Sequence, residues 1–207
     1  MKYKNNLAWL NVGNHTAFIQ IAALERLMKL FPYIVALEVG SAYGGAVETM
    51  ATYLKGRGKV YGYDTFEGHP KDLGLDFKES HAMDSWYQDP HFGTDILDYD
   101  YQRRILDENG LDNAVLVKGR VNKHSFDDIE EAHLVMIDLD MVNPTKIVYE
   151  ALKDKIVVGG YLLFHDTVPA DHLPLLHNYV YKEVMKDKKW KFHADYPKSY
   201  LTILQRI

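Results

Sequence analysis

The sequence predicts an α/β protein built on an open, mainly parallel β-sheet that is covered by helices. Short apolar runs of strand length alternate along the chain with segments whose apolar residues recur at helical spacing. Acidic side chains follow directly after most of these runs. Because the carboxyl ends of parallel strands meet at one edge of such a sheet, and ligands bind there, the same pattern also predicts where a site lies.

Predicted strands and helices alternate from one end of the chain to the other. Helical periodicity begins at residue 15 and ends at 31, where Pro32 closes the segment. Apolar, β-branched runs predict strands at 33–40, 58–65, 113–119, 133–140 and 159–167. Helical patterns lie between and after them at 45–56, 100–110, 144–156 and 171–186, with a short helical turn at 125–129. The last two predicted strands, 189–195 and 199–207, are joined by a short proline-containing turn, which favours an antiparallel hairpin.

Length and composition predict one soluble domain over residues 1–207. The net charge of -5 argues against nucleic-acid binding, which needs clustered lysine and arginine. No apolar run approaches the roughly 18 residues that a membrane span requires. The chain has no cysteine, which excludes disulfides, thiolate metal sites and a cysteine nucleophile. With no signal-peptide pattern at the N-terminus, we expect a cytoplasmic protein.

The segment LEVGSAYGG, residues 37–45, joins the first predicted strand to a helix through a glycine-rich turn. Glycines let the backbone approach a ligand, and the N-terminus of the following helix favours negative charge. The dinucleotide fingerprint G-x-G-x-x-G is absent, and the spacing is E-x-G-x-x-x-G instead. Asp64 closes the second strand, from where its carboxylate can accept hydrogen bonds from both hydroxyls of a ribose. Together these features favour nucleoside binding over a plain turn.

Four segments together resemble the class I S-adenosylmethionine-dependent methyltransferases, and more narrowly the macrocin O-methyltransferase group: LEVGSAYGG, VYGYDTFEG, HLVMIDLD and GGYLLFHDT. The resemblance covers about residues 33–167. It implies a Rossmann-like, doubly wound sheet of about seven strands with the last strand antiparallel. It also implies S-adenosylmethionine as the cofactor, with its methionine part surrounded by Glu38, Gly40, Ser41 and Gly44 and its ribose bound by Asp64. Residues near the adenosine would then be Thr65, Phe66, Gly119 and Arg120.

The resemblance raises the question of a metal. In macrocin-type and catechol-type relatives, an acid after strand four and a pair of acids after strand five hold Mg²⁺, and the matching positions are Asp138, His165 and Asp166. Mg²⁺ prefers oxygen ligands, whereas imidazole suits Mn, Fe or Zn. Metal binding therefore stays open, with Asp138 otherwise a cofactor contact and His165 an outer-shell residue or a base. Asp140 is a rival to Asp138, because alternate residues of a strand share a face.

Residues 66–99 are irregular and are predicted to form a lid or acceptor-binding insertion. Methyl transfer from a hydroxyl group needs a proton acceptor, and histidine serves best near neutral pH. His81 is the first choice for this base and His165 the second, and His69 and His91 are further candidates. An acceptor-binding wall is predicted from three aromatic side chains, Trp86, Tyr87 and Phe92.

The leading hypothesis is an O-methyltransferase that acts on a hydroxylated, sugar-like or natural-product-like small molecule, with or without help from a divalent metal. The alternatives are a nucleotide-dependent oxidoreductase, a hydroxylase-like relative of the same fold, and a cofactor-binding protein without turnover. Residues 1–32 form a helical extension before the nucleotide-binding part, and such a helix commonly covers the pocket or makes a homodimer. We expect no nucleic-acid or membrane partner.

Overall fold

The structure is a computed structural model that describes residues 14–67 and 98–207. Almost all of the predicted insertion at 66–99 lies outside the described residues. The predictions that fall there concern His69, His81, Trp86, Tyr87, His91 and Phe92.

The described residues form seven strands and five α-helices. The strands are β1 Ile34–Val39, β2 Gly58–Asp64, β3 Ala114–Lys118, β4 Ala132–Ile137, β5 Ile156–Phe164, β6 Trp190–Tyr196 and β7 Leu201–Arg206. The helices are α1 Asn14–Leu30, α2 Gly45–Tyr53, α3 Tyr99–Glu108, α4 Val142–Leu152 and α5 Pro174–Lys182. Each predicted strand is present, with ends that differ from the predicted ones by a few residues.

The seven strands form one sheet in the order β3-β2-β1-β4-β5-β7-β6. Strands β1 to β5 are parallel to one another, and β7 runs antiparallel to both β5 and β6. The predicted doubly wound sheet with a reversed last strand is therefore confirmed. The chain moves from β1 to one side of the sheet through β2 and β3, and then crosses back to β4 on the other side. This reversal of direction opens a crevice between the carboxyl ends of β1 and β4, where such folds bind ligands.

Apolar side chains cover both faces of the sheet. Helices α1 and α2 bury Leu24, Leu27 and Met50 against one face. Helices α4 and α5 bury Val148 and Val180 against the other. Among the described residues, no helix is both long enough and apolar enough to cross a membrane. The two buried layers hold the sheet rigid, so that the loops at its carboxyl edge have a fixed base.

Two predicted elements differ from the structure. Residues 125–129 form successive hydrogen-bonded turns, with Asp127 N donating to His124 O and Ile129 N to Phe126 O, rather than a helical turn. Strand β5 begins at Ile156, three residues before its predicted start, and passes through Gly159 and Gly160. The paired glycines therefore lie inside the strand. A side chain at Gly160 would lie 2.9 Å from His133 O, so glycine permits the close approach of β4 and β5 there.

Candidate active site at the crevice between strands β1 and β4

The glycine-rich turn after β1 is tied to the end of β2 by its backbone. The N–H groups of Gly40 and Ser41 both donate to Tyr63 O, at 2.8 and 3.2 Å. Gly44 has a φ of 74° and directly precedes α2. Because only glycine adopts such a φ without strain, Gly44 allows the chain to turn sharply from the strand into the helix. The N-terminus of α2 is thereby placed at the crevice.

Asp64 fastens this turn through its side chain. Its Oδ2 accepts a hydrogen bond from Ala42 N at 2.8 Å, and its Oδ1 accepts one from Phe66 N at 2.8 Å. The sequence predicted a ribose-binding carboxylate, and this backbone role was not foreseen. Oδ1 also accepts a long hydrogen bond from Thr65 Oγ1, while Oδ2 has a second lone pair with which Asp64 can accept a ligand hydroxyl. Ribose binding by Asp64 stays a prediction.

Replacing Asp64 with asparagine should lower both stability and cofactor affinity. An amide offers one acceptor oxygen, so one of the two backbone N–H groups would face an NH₂ group instead. We expect the free energy of unfolding to fall by about 1–3 kcal/mol in urea titrations. The matched control is Asp127→Asn, at an exposed aspartate paired with His124. Equal stability of the Asp64 variant and the wild type would show that these hydrogen bonds do not hold the turn.

A cleft that is partly open to solvent lies beside the turn. Its wall includes Thr16 of α1, Glu38, Ser41, Asp138 and His165. The cleft therefore joins the predicted cofactor residues of β1 to the polar residues that follow β4 and β5.

Glu38 and Ser41 each place a buried polar atom in this wall. Oε2 of Glu38 and Oγ of Ser41 have no hydrogen-bond partner among the residues that the structure describes. Burial, together with repulsion from Asp138 and Asp64, raises the pKa of Glu38 well above its usual value. A ligand with an ammonium group would relieve this repulsion and supply the missing hydrogen bonds. The amino-acid end of S-adenosylmethionine fits these requirements.

The residues predicted near the adenosine lie at the neighbouring ends of β2 and β3. Gly119 N donates to Asp64 O at 2.8 Å, which joins the two strand ends. Thr65 Oγ1 accepts a hydrogen bond from Glu67 N, and Arg120 is exposed. The Phe66 ring is 7% exposed and packs edge-on against Tyr99 at 5.3 Å between ring centroids. The ring of Phe66 therefore contributes mainly to the core, while the other three residues remain at the rim.

A cluster of three charged side chains lies at the ends of β4 and β5. Nδ1 of His165 is 3.0 Å from Oδ1 of Asp138 and 2.9 Å from Oδ2 of Asp166. One potential ligand atom from each residue lies within 4.8 Å of the other two. The expectation that these strand ends bring Asp138, His165 and Asp166 together agrees with the structure. Asp138 also lines the cleft, so it faces both the predicted cofactor and the cluster.

Asp140, the rival to Asp138, lies beyond the end of β4 and next to the cluster. Strand β4 ends at Ile137, and Asp140 lies in a turn with a φ of 57°. The alternation of side chains applies only within a strand, so it does not extend to Asp140. Its side chain interacts with that of Asp166.

The opposite charges in the cluster stabilise the charged forms of His165 and Asp166. Burial lowers the pKa of His165, but attraction to Asp138 and Asp166 outweighs it and raises the pKa well above the usual value. Burial likewise raises the pKa of Asp166, while the nearby charge of His165 and the contacts with His172 and Asp140 lower it below its usual value. Without a cation, an imidazolium therefore lies between two carboxylates. Such a group cannot accept a proton, so His165 can serve as a base only after it has lost its own.

Stability should fall as the pH rises above about 6.5, where an unperturbed histidine loses its proton. The pKa of His165 is raised in the folded state, so its contribution is fully present below that pH and is lost as the pH rises through the folded pKa. The pKa of Glu38 is also raised in the folded state, so its contribution to stability is likewise lost as the pH rises. This loss begins at a lower pH, because an ordinary glutamate titrates below a histidine. Urea unfolding of the wild type and of His165→Gln at several pH values would measure this. Identical slopes of unfolding free energy against pH would contradict the charge state assigned to His165.

Sequence reasoning missed two residues beside the cluster, His172 and Tyr200. Nε2 of His172 is 3.0 Å from Oδ1 of Asp166, and the His172 and Tyr200 rings lie 4.5 Å apart. His172 falls inside the predicted helix at 171–186, whereas α5 begins at Pro174 and His172 lies in the loop before it. Tyr200 precedes β7, which pairs antiparallel with the end of β5. The predicted hairpin therefore could have placed Tyr200 near the end of β5, whereas nothing in the sequence indicated that His172 lies beside Asp166.

The strand order and the position of the cleft define the fold of class I S-adenosylmethionine-dependent methyltransferases. The O-methyltransferase NovP superposes with a TM-score of 0.73 at 17% identity, covering 94% of this chain and 81% of that one. The calicheamicin methyltransferase CalS11 gives a TM-score of 0.70 at 21% identity, covering 95% and 81%. An rRNA methylase from Streptococcus thermophilus gives 0.53 at 15% identity, covering 91% and 96%.

Neither a protein-family model nor a curated protein sequence matches this chain. At such identities the solved structures establish the fold that the motifs predicted, and they leave the acceptor open. The three neighbours also differ in their names, since the first is an O-methyltransferase, the second a calicheamicin methyltransferase and the third an rRNA methylase.

Proposed function

We propose that the protein transfers the methyl group of S-adenosylmethionine to a hydroxyl oxygen of a small molecule. The observation that carries this proposal is the cleft beside β1, whose wall contains the unpartnered atoms of Glu38 and Ser41 and ends at Asp138 and His165. One end suits the amino-acid part of the cofactor, and the other supplies charged groups for the acceptor. The methyltransferase fold of the chain agrees with this division.

Each part of the site has a role in the transfer. Glu38 and Ser41 bind the polar end of the cofactor, and Asp64 holds the turn that forms the cleft. The acceptor oxygen forms a bond to the methyl carbon as the bond from that carbon to sulfur breaks, and S-adenosylhomocysteine leaves. The acceptor hydroxyl must lose its proton in the same reaction, so a proton acceptor beside Asp138 and His165 is required. His81 stays the predicted base, and it lies outside the described residues.

The charged cluster is the proposed position for the reacting hydroxyl. A divalent cation held by Asp138, His165 and Asp166 would lower the pKa of that hydroxyl and fix its orientation. Without a cation, His165 in its charged form can donate a hydrogen bond to an acceptor oxygen. In both cases the carboxylates of Asp138 and Asp166 set the charge at the place where the hydroxyl loses its proton.

A sugar-like or natural-product-like acceptor is proposed on the strength of the neighbours. CalS11 is a TDP-rhamnose 3'-O-methyltransferase of calicheamicin biosynthesis, and its apo structure matches at a TM-score of 0.64 and 19% identity, covering 95% of this chain and 82% of that chain. A hydroxylated acceptor also suits a site that combines carboxylates with an imidazole. The absent G-x-G-x-x-G motif speaks against a nucleotide-dependent oxidoreductase.

The test is a transfer assay with S-adenosylmethionine carrying a carbon-13 methyl group. Nucleotide sugars, free sugars, catechols and polyketide-like phenols would be offered as acceptors, and carbon-13 NMR would distinguish methyl groups on oxygen, nitrogen and carbon. An O-methyl product that forms with equimolar S-adenosylhomocysteine supports the proposal. A product methylated on nitrogen or carbon would contradict O-methyl transfer. Tight cofactor binding with no product from any class would favour a cofactor-binding protein without turnover.

A further inference from the structure

The cluster at the ends of β4 and β5 has the features of a cation site with mixed donors. Asp138 and Asp166 offer carboxylate oxygens, and His165 offers its Nδ1. The two carboxylates carry two negative charges, which match a divalent cation when the imidazole is neutral. Three protein ligands would leave positions open for water or for oxygens of an acceptor.

A second observation indicates that these donors are arranged around a shared ligand. Asp166 is 2% exposed, and its Oδ2 lies 2.9 Å from Nδ1 of His165. At that distance a hydrogen bond would be expected, yet neither atom has a hydrogen-bond partner among the described residues. The two groups are therefore close without pointing at one another, as ligands of one ion are. A cation between the two atoms would be the partner that neither of them has within the described residues.

Asp166 is held in place from its other side. Its Oδ1 contacts Nε2 of His172 at 3.0 Å, and the His172 ring rests 4.5 Å from the ring of Tyr200. This arrangement leaves Oδ2 as the oxygen that faces the cluster. Outer-shell hydrogen bonds of this kind orient metal ligands in many proteins.

Magnesium fits this donor set poorly. Mg²⁺ requires hard oxygen ligands in near-octahedral geometry and loses its water reluctantly. Here one of the three donors is an imidazole nitrogen, and its side chain is only 12% exposed. Manganese, iron and zinc accept imidazole together with carboxylates.

We propose that Asp138, His165 and Asp166 bind a first-row transition-metal dication such as Mn²⁺ in preference to Mg²⁺, with His172 as the residue that positions Asp166. The catalytic meaning of this site rests on the proposed function, whereas the binding itself requires neither cofactor nor acceptor. His165 is the residue that determines the choice of metal.

The experiment titrates the purified, metal-free protein with Mn²⁺ and with Mg²⁺ by calorimetry, in the absence of S-adenosylmethionine. We expect Mn²⁺ to bind at least about tenfold more tightly than Mg²⁺. Pulsed electron paramagnetic resonance of the Mn²⁺-loaded protein should show coupling to a directly bound nitrogen. In His165→Asp the nitrogen signal should disappear and the ratio of the two affinities should fall by about tenfold or more.

Two further variants keep the test decisive. His172→Gln should weaken Mn²⁺ binding by about 10–100-fold while the nitrogen signal is kept, because His165 is unchanged. His124→Asp is the matched control, since His124 forms an exposed imidazole–carboxylate pair with Asp127, and it should change neither affinity. If His165→Asp fails to fold, the nitrogen signal of the wild type and the loss of affinity in His172→Gln still test the site.

Three results would overturn the assignment: equal affinity for the two metals, bound Mn²⁺ without a nitrogen signal, or no binding of either metal. Titration of the same samples with S-adenosylmethionine separates this inference from the proposed function. Protein that binds Mn²⁺ but no S-adenosylmethionine supports the metal site and contradicts methyl transfer. Protein that binds S-adenosylmethionine and no metal overturns the metal site alone.

Discussion

Replacing Asp166 with asparagine should reduce methyl transfer by about 10²–10⁴-fold and leave the affinity for S-adenosylmethionine within about threefold of the wild type. Asp166 contacts both His165 and His172, and it is 2% exposed. Asparagine keeps its shape but removes the charge that both imidazoles face. Asp166 is not among the residues that line the cofactor cleft, so binding of the cofactor should persist. Rates of S-adenosylhomocysteine formation and calorimetric titrations would measure the two effects.

Asp195→Asn serves as the matched control for Asp166. Asp195 lies at the end of β6 and accepts hydrogen bonds from Tyr181 and Thr202, so it belongs to a polar network that does not include the cluster. Its replacement should lower stability with little effect on turnover. Turnover of Asp166→Asn above about a tenth of the wild-type rate would contradict a role for this carboxylate in the reaction.

Replacing Gly40 with alanine should destabilise the protein by about 3 kcal/mol or more, or prevent folding. The φ of Gly40 is +93°, and a Cβ atom there would lie 1.8 Å from Asp138 O. Both β1 and β4 run through the core, so neither backbone can move away without disturbing their pairing. The same shift would displace Asp138 from the cluster. Thermal and urea unfolding would measure the loss.

The variant Gly56→Ala separates the backbone strain of a positive φ from the steric clash of an added Cβ atom, the two causes of the stability loss expected in Gly40→Ala. Gly56 has a φ of +75°, but a Cβ atom there would meet nothing within 4 Å. Its replacement should therefore cost only the strain of a positive φ, about 1–2 kcal/mol. If both variants lose the same stability, the close approach of β1 and β4 at Gly40 is not what requires glycine.

Much of the fold could be predicted because local patterns determined it. The apolar runs and glycine stops located every strand to within a few residues, and the proline-containing turn before β7 predicted the reversed strand. The parallel arrangement then brought the ends of β4 and β5 to one edge. Asp138, His165 and Asp166 could therefore be grouped from the sequence, although Asp166 and Asp138 are far apart along the chain.

Other features depend on loops, and local patterns do not determine where loops lie. His172 reaches Asp166 from the loop before α5, inside the predicted helix at 171–186. Asp138 and Asp140 both lie beyond the end of β4, where the alternation of a strand no longer applies. Thr16 lines the cleft only because α1 packs beside β1 and β4. Oδ2 of Asp64 accepts a hydrogen bond from the backbone N–H of Ala42. This contact joins two turns, and residue types alone do not predict it.

The most direct test of the account is a calorimetric titration of the protein with S-adenosylmethionine and S-adenosylhomocysteine, with NADH as the competing nucleotide cofactor. The structure predicts one site of micromolar affinity for both sulfur compounds and no binding of NADH. Affinity should fall in Asp64→Asn and stay unchanged in Asp127→Asn. Absence of binding by both sulfur compounds, with and without Mn²⁺ or Mg²⁺, would contradict the assignment of the cleft beside β1 as a cofactor site.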